Sequence, residues 1–95
     1  MRYVVDIDGT ICNTNGNDYE NSVPIYENIF KINQLHNEGH EIIYHTSRGT
    51  SSGNNHYITT IIQLARWGAI YDELRMGKMS YDHWIDDKSF KIEQL

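Results

Sequence analysis

Residues 4–11 read VVDIDGTI, an apolar run that ends abruptly in the carboxylates of Asp6 and Asp8, with Gly9 and Thr10 behind them. Acidic side chains of like charge repel each other, and their burial is unfavourable unless something positive compensates. The pair therefore belongs either to a solvated turn or to a site where carboxylates converge on a cation. The pattern of the remaining chain has to distinguish these alternatives.

Hydrophobic periodicity predicts strands and helices in alternation. Runs rich in β-branched and aromatic residues predict four strands, at residues 2–7, 41–46, 69–74 and 82–87. Apolar residues at helical spacing predict one helix that Pro24 opens and Gly39 ends, and a second helix that Gly68 ends. Two polar loops and a short terminal helix complete the pattern, at residues 12–22, 47–55 and 88–95.

This order of elements is typical of an α/β domain with a mainly parallel sheet. Without a linker or a repeat, residues 1–95 form a single domain. In such sheets, ligands bind outside the carboxyl ends of the strands. We therefore expect one edge of the sheet to gather the polar side chains Asp6, Asp8, Thr46, Ser47, Asp86 and Asp87.

The side chains at this edge suit phosphoryl transfer. Carboxylate oxygens are ligands that Mg²⁺ prefers, together with waters and substrate phosphate, and the ion relieves the repulsion between them. Thr46 or Ser47 adds a hydroxyl donor, and Lys78, eight residues before Asp86, adds a positive point charge. Charge neutralisation and in-line positioning supply most of the catalysis in this class of reaction.

Four motifs in order resemble the haloacid dehalogenase-like superfamily, most of whose members are Mg²⁺-dependent phosphatases: DIDGT (6–10), HTSRG (45–49), GK (77–78) and WIDD (84–87). The resemblance covers essentially the whole chain. DIDGT fits the first signature of the family in full and is the most specific part. The resemblance implies a three-layer Rossmannoid fold with about four strands in the order 4-1-2-3, the first strand being central.

Carried over residue by residue, the resemblance implies catalytic roles for four side chains. Asp6 would be the nucleophile that attacks phosphorus and forms an aspartyl-phosphate. Asp8 would be the general acid and then the base, and would lend its backbone carbonyl to Mg²⁺. Thr46 matches the residue that hydrogen-bonds the phosphoryl group, and Lys78 matches the Lys that steadies the phosphorylated Asp.

The metal ligands that the resemblance implies are Asp6, Asp8, Asp86 and Asp87. Within the late pair, Asp86 is the expected direct ligand and Asp87 the water-mediated one. The same pair also suits a helix N-cap for the segment that follows, a role that does not exclude metal binding.

Substrate binding is assigned to Gly9, Thr10, Thr46, Ser47 and Arg48. Either hydroxyl of the Thr46-Ser47 pair can serve, and Thr46 is preferred because it directly ends the strand. Arg48 either holds a substrate anion or is an ordinary surface residue.

The chain departs from typical members of the superfamily in having no room for a cap. Caps are inserted after the first strand or after the crossover between the second and third strands, and here those places hold only residues 11–23 and 47–55. The chain therefore resembles a minimal, capless member. It is most similar to small phosphatases of bacterial surface-polysaccharide pathways, in which GK, a short spacer and IDD recur near the C-terminus.

Composition bounds the partners and the compartment. Apolar residues make up 39% of the chain and the mean hydropathy is −0.61. A chain of this size buries only ~60–65% of the surface its unfolded form exposes, so self-association into a homo-oligomer is an expectation. The single cysteine, Cys12, and the absence of an apolar run near 18 residues predict a soluble, cytoplasmic protein without membrane contact.

The expected function is Mg²⁺-dependent hydrolysis of a phosphomonoester, with a sugar phosphate or capsular-polysaccharide intermediate, small or carrier-linked, as substrate. A nucleotide or polynucleotide 3′-phosphatase is the alternative within enzymes. Its nucleic-acid partner is disfavoured by 13 acidic against 8 basic residues. A non-catalytic, receiver-like phosphate-binding module is the alternative of another class. Asp8 distinguishes the phosphatase from this module, because a module that only holds phosphate needs no acid or base.

Overall fold

The computed structural model describes residues 1–49, 56–89 and 91–95. In chain order its elements are β1 (Arg2–Val5), β2 (Cys12–Asn13), β3 (Val23–Pro24), α1 (Tyr26–Asn37), β4 (Glu41–His45), α2 (Tyr57–Arg66) and β5 (Glu73–Arg75). Single 3₁₀ turns lie at Tyr19–Asn21 and Ile92–Gln94. The protein is an α/β domain, as the sequence predicts.

Three of the strands form a parallel sheet in the order β1-β4-β5. The register pairs Val5 with Tyr44 and Tyr44 with Leu74, so that the three strands end at one edge. Strands β2 and β3 form a separate antiparallel hairpin, which closes residues 14–22 into a flap beside that edge. No inserted domain interrupts the described residues, in agreement with the capless prediction.

One buried cluster joins the sheet to both helices. Val5 and Tyr44 of the sheet belong to it together with Ile29 of α1 and Leu64 of α2, and Ile92 near the C-terminus packs against it. Right-handed crossovers from β1 to β4 and from β4 to β5 run in the same direction and so bring both helices to one face. The three-layer arrangement implied by the resemblance is therefore not confirmed by the part of the chain that the structure describes.

Two element boundaries differ from the predicted ones. Pro24 pairs with Cys12 in the hairpin instead of opening the helix, which begins at Tyr26. The third strand is Glu73–Arg75 rather than 69–74. In a longer strand, a backbone carbonyl would accept the hydrogen bond of the Ile42 N–H. Here the Asp72 carboxylate accepts it instead, at 2.8 Å, and the pairing of β5 with β4 therefore begins at Glu73.

The predicted fourth strand is not formed. Residues 79–89, which we call the arm, are all described and all exposed, and none is in a strand. Only residues 76–81 separate β5 from the predicted strand, whereas a crossover to a parallel neighbour needs about a dozen residues or more. The four-stranded order 4-1-2-3 is therefore not confirmed within this chain.

The chain around the arm is fastened at both ends. The backbone N–H of Lys78 donates to the carbonyl of Thr46 at 2.9 Å, and Ile92 packs against the core. Of the predicted terminal helix at 88–95, the structure contains the 3₁₀ turn alone, and Phe90 lies outside the described residues. None of the helices in the described ranges has the length and apolar character needed to cross a membrane.

Candidate active site

The carboxyl edge of the sheet brings together side chains from three parts of the sequence. Asp6 follows β1, Ser47 follows β4 and Lys78 follows β5. Two backbone hydrogen bonds of 2.9 Å fix the last connection, from Thr46 N–H to the carbonyl of Arg75 and from Lys78 N–H to the carbonyl of Thr46. Between them Gly77 has φ +81°, a left-handed turn that favours glycine and aims Lys78 back toward Asp6.

An open cavity of about 410 Å³ lies at this edge. Its lining is largely polar and comes from the sheet edge, the flap and the start of the arm, and consists of Asp6, Asn17, Tyr19, Ser47, Gly49, Lys78, Ser80 and Tyr81. The cavity thus joins the predicted nucleophile, a hydroxyl and the predicted lysine.

Asp6 is the acidic group of this cavity. Its Oδ1 accepts a hydrogen bond of 2.9 Å from the backbone N–H of Ile7 and lies 3.9 Å from Nζ of Lys78. Burial raises the pKa of Asp6 above its usual value; the Lys78 charge and the Ile7 amide oppose this, and the charge of Asp8 adds to it. The result is a partly desolvated carboxylate that lies in an open cavity and faces a cation, an arrangement that suits a nucleophile toward phosphorus.

Lys78 is held at the cavity by aromatic residues of the arm. Its Nζ is 3.2 Å from the hydroxyl of Tyr81, and it lies 4.9 Å from the ring centre of Tyr81 and 5.3 Å from that of Trp84. The positive charge also reaches His45, whose pKa is lowered by partial burial and by the charges of Lys78 and Arg75. His45 is therefore a neutral neighbour of the site at pH 7.

Asp8 has a different environment from Asp6. Arg48 binds it in a bidentate ion pair, with Nη2 2.9 Å from Oδ1 and Nε 3.0 Å from Oδ2, and the Thr14 hydroxyl donates to Oδ1 at 2.5 Å. Burial acts to raise the pKa of Asp8, but the hydrogen bonds from Arg48 and Thr14 and the Arg48 charge outweigh it and leave the pKa below its usual value. Asp8 is therefore held as a carboxylate.

Arg48 is an internal cation, neither a surface residue nor a group that faces the cavity. Its side chain has 0% exposure, and besides Asp8 it donates to Thr60 Oγ1 at 3.1 Å and Gln63 Oε1 at 2.6 Å. The guanidinium carbon also lies 4.9 Å from the ring centre of Tyr19 in the flap. The prediction that Arg48 binds substrate or lies on the surface does not agree with this position, because every direction around the guanidinium is occupied by protein.

The residues that complete this network were missed by sequence reasoning. They are Thr14 and Ser22 in the flap and Thr60 and Gln63 on α2. The one available signal was the pair of polar residues Thr60 and Gln63, which together with Leu64 are the buried residues of α2. Cys12 also lies against the Asp8 carboxylate, and burial raises the pKa of its thiol to about 11, which excludes a thiolate there.

Thr46 and Ser47 differ in accessibility. Thr46 is 1% exposed and its Oγ1 accepts a hydrogen bond of 3.2 Å from the backbone N–H of Arg48, whereas Ser47 is half-buried and lines the cavity. Gly9 and Thr10 form the turn after Asp8, where Gly9 has φ +83° and donates to the Cys12 carbonyl at 2.8 Å. Neither Gly9 nor Thr10 lines the cavity. Of the residues predicted to bind the phosphoryl group, Ser47 is therefore the one whose hydroxyl lies at the cavity.

Asp86 and Asp87 lie in the exposed arm. The hydrogen bonds of the Asp86 carboxylate are local, from the Trp84 indole N–H at 3.4 Å and from the Lys88 backbone N–H at 3.1 Å. Across residues 1–49, 56–89 and 91–95, no three His, Cys, Asp or Glu side chains come close enough to hold a metal ion. Both side-chain oxygens of Asp8 are bonded to Arg48, which leaves Asp6 as the carboxylate of the described residues that lines the cavity.

Comparison with known proteins supports the fold. The sequence matches no model of a protein family and no curated protein. A crystal structure of an MCSG target from Vibrio cholerae is similar to this chain, with a TM-score of 0.89 and 26% sequence identity. The similarity covers 98% of this chain and 85% of that one. The two chains share their backbone fold along nearly the full length of the one described here.

Proposed function

We propose that the protein is a phosphomonoester hydrolase of the haloacid dehalogenase-like type, with Asp6 as its nucleophile. The observation that carries this proposal is the cavity in which Asp6 and Lys78 face the same space with 3.9 Å between their charged atoms. The DIDGT motif, to which Asp6 belongs, and the position of that motif at the carboxyl end of β1 support the same assignment.

The proposed reaction has two displacements at phosphorus. In the first, an oxygen of Asp6 bonds to phosphorus while the bond to the ester oxygen breaks, and the departing alkoxide keeps the electron pair and takes up a proton from water in the open cavity. In the second, water attacks phosphorus, the bond to Asp6 breaks, and inorganic phosphate leaves. Lys78 offsets the negative charge on the phosphoryl oxygens in both steps, and the Ser47 hydroxyl donates to one of them.

Asp8 can act in this reaction only as far as its pairing with Arg48 allows. A carboxylate that two guanidinium N–H groups keep ionised has no proton to give to a leaving group. To accept a proton from the attacking water of the second step, it must release an oxygen from Arg48. The general-acid role that the resemblance implies for Asp8 therefore requires that its carboxyl group first leave Arg48.

The Mg²⁺ requirement remains part of the proposal. The ion would add Lewis-acid stabilisation of the phosphoryl oxygens. The resemblance assigns the ion to Asp6, the backbone carbonyl of Asp8, Asp86 and Asp87, and within the described residues the late pair does not lie beside Asp6. No step above passes through the ion.

The cavity favours a phosphate attached to a polar group. Asn17, Ser80 and Tyr81 offer amide and hydroxyl partners, and the described residues include no cap that would close over a small substrate. A sugar phosphate, free or carrier-linked, has the hydroxyl groups to use such a surface. The resemblance to phosphatases of surface-polysaccharide pathways points to the same class of substrate.

A receiver-like module is the second candidate, and the ion pair of Asp8 with Arg48 is the observation that favours it. If Asp8 never leaves Arg48, the chain can accept a phosphoryl group on Asp6 and hold it without turnover. The fold and the cavity serve either candidate equally, so that only turnover separates them.

The test is release of phosphate from p-nitrophenyl phosphate and from a panel of sugar phosphates, with Mg²⁺ or with a chelator. We expect steady turnover by the wild type in Mg²⁺ and none by Asp6→Asn, while Glu27→Gln, an exposed acid on α1, keeps full activity. Activity that survives in Asp6→Asn would refute the mechanism. A single burst with one hydroxylamine-labile phosphate per chain would identify the phosphate-holding module instead.

A further inference from the structure

The cavity at the sheet edge contains more groups than the reaction at phosphorus uses. Four of its lining residues have no part in the two displacements, and they are Asn17, Tyr19, Ser80 and Tyr81. The cavity volume of about 410 Å³ lies within the usual range of small-molecule sites and exceeds what a phosphoryl group alone fills. The rest of the cavity is therefore available to the alcohol that carries the phosphate.

These four residues are uncharged. They offer an amide, an aliphatic hydroxyl and two phenols, whereas the charges of the described lining belong to Asp6 and Lys78, whose charged atoms lie 3.9 Å apart. A second phosphate or a carboxylate on the substrate would meet no further cation in the described part of the lining, and a charge that loses water without a partner is unfavourable. The lining therefore favours an alcohol that has hydroxyl groups and no charge of its own.

Tyr19 presents its ring from a fixed position in the flap. Its backbone carbonyl accepts a hydrogen bond from Nε2 of Gln63, and the buried guanidinium of Arg48 lies 4.9 Å from its ring centre. The His56 ring packs edge-on at 4.8 Å between centres, and the Tyr19 hydroxyl donates to Oδ1 of Asn17 at 3.3 Å. A ring that is already held by such contacts loses little freedom when a ligand packs against it.

Tyr81 lines the cavity from the arm. Its hydroxyl lies 3.2 Å from Nζ of Lys78, and its ring packs edge-on against that of Trp84 at 5.1 Å between centres. The residue remains 45% exposed, so its ring is accessible to a ligand. Because Lys78 is the group that would face the phosphoryl oxygens, Tyr81 lies beside the phosphoryl position, next to whatever that group is attached to.

We propose that Tyr19 and Tyr81 form an aromatic binding site for the alcohol part of the substrate, and that this alcohol is an uncharged sugar ring. The inference rests on the proposed function, which supplies the phosphoryl end of the same cavity. The C–H faces of a sugar ring are apolar and pack on aromatic rings, while its hydroxyl groups can bond to the Asn17 amide and the Ser80 hydroxyl. An open-chain alcohol has no such face.

The first test compares four phosphate esters in Mg²⁺. We expect kcat/KM for glucose 6-phosphate to exceed that for glycerol 3-phosphate, which has no ring, by ~10-fold or more. Glucose 1,6-bisphosphate, which keeps the ring and adds a charge, should also be poorer than glucose 6-phosphate. Equal values for glucose 6-phosphate and glycerol 3-phosphate, or a preference for the bisphosphate or for adenosine 5′-monophosphate, would overturn the proposal.

The second test removes one ring. Tyr81→Leu alters a residue of the exposed arm and should raise KM for glucose 6-phosphate ~10-fold with kcat nearly unchanged, while glycerol 3-phosphate is unaffected. Tyr19→Leu should have the same selectivity, and Tyr81→Phe, which keeps the ring, should retain the preference for glucose 6-phosphate. Tyr26→Leu, at a tyrosine of α1 that is 61% exposed and does not line the cavity, is the matched control. A fall in kcat that is equal for every substrate would show a structural role and contradict the binding site.

Equilibrium binding separates this proposal from the phosphatase. By calorimetry, Asp6→Asn should bind glucose 6-phosphate more tightly than glycerol 3-phosphate, and Tyr81→Leu in the same background should remove most of the difference. A wild type that hydrolyses no ester, in a chain that still shows this binding pattern, refutes the phosphatase and supports the sugar site. An active wild type that has no preference for the ring refutes the sugar site and leaves the phosphatase standing.

Discussion

The ion pair between Asp8 and Arg48 predicts an asymmetry between two single substitutions. Arg48 is fully buried, whereas the Asp8 side chain is 28% exposed and keeps the Thr14 hydroxyl. Loss of one partner from a buried pair destabilises by ~3–5 kcal/mol, and we assign this range to Asp8→Asn, since the stranded guanidinium has no access to water. Arg48→Met leaves a carboxylate that water can reach, and we expect ~2–3 kcal/mol.

A double-mutant cycle tests this asymmetry. Asp8→Asn with Arg48→Met removes both charges, so its destabilisation should fall short of the sum of the single variants by at least ~2 kcal/mol. The measurement is urea unfolding followed by circular dichroism, on a chain whose whole stability is of the order of 5–14 kcal/mol. Glu20→Gln, an exposed acid of the flap, serves as the control and should be neutral.

Two results would refute the reasoning. Additivity within ~0.5 kcal/mol would mean that the two side chains do not stabilise each other. A larger loss for Arg48→Met than for Asp8→Asn would mean that the buried guanidinium tolerates isolation, contrary to the exposure of the two groups.

Three further predictions follow from the charges of the site. Folding lowers the pKa of Asp8. The ionised carboxylate therefore contributes its full stabilisation above pH ~4, and this stabilisation is lost as the pH falls through the folded-state pKa. Arg48→Met should make the free energy of unfolding less dependent on pH in this acidic range. Folding raises the pKa of Asp6, so the ionised group opposes folding at neutral pH, and Asp6→Asn should raise Tm slightly in calorimetry; a fall in Tm would contradict the assigned burial. Lys78→Met removes the positive charge that holds down the pKa of Asp6, so the acid limb of the kcat/KM profile should move to higher pH. The same substitution should lower kcat at least ~10-fold.

The positions of Asp6 and Lys78 could be predicted from the sequence because they depend on strand ends. DIDGT after a β-branched run places Asp6 at the carboxyl end of β1, and the Gly77-Lys78 pair follows β5 closely enough to reach it. In a parallel sheet the carboxyl ends of neighbouring strands coincide, so short-range patterns alone bring these residues together.

The role of Arg48 could not be predicted in the same way. Its partners come from three separate segments, the turn after β1, the flap and α2, and a lone Arg after a strand carries no sign of them. The flap matters most, because it supplies Thr14 and Ser22 and brings the Tyr19 ring over the guanidinium. An Asn-rich loop gives no hydrophobic pattern from which such packing can be inferred.

The fourth strand was predicted from its composition, and its absence follows from the length of the connection. Residues 82–87 have the residue types of a strand, but the chain between β5 and Asp82 is too short for a parallel crossover. Propensity describes which conformation a segment favours, while the connection decides which partner strands it can reach.

The two carboxylates of residues 4–11 are stabilised by different means. Asp8 is charge-compensated inside the chain, by an arginine 40 residues later and by the Thr14 hydroxyl, and needs no metal ion to remain ionised. Asp6 has only a lysine at 3.9 Å and one backbone amide against its burial. Since an undercompensated carboxylate in an open cavity gains most from a further cation, the proposed function would place a divalent ion and a phosphoryl group beside Asp6.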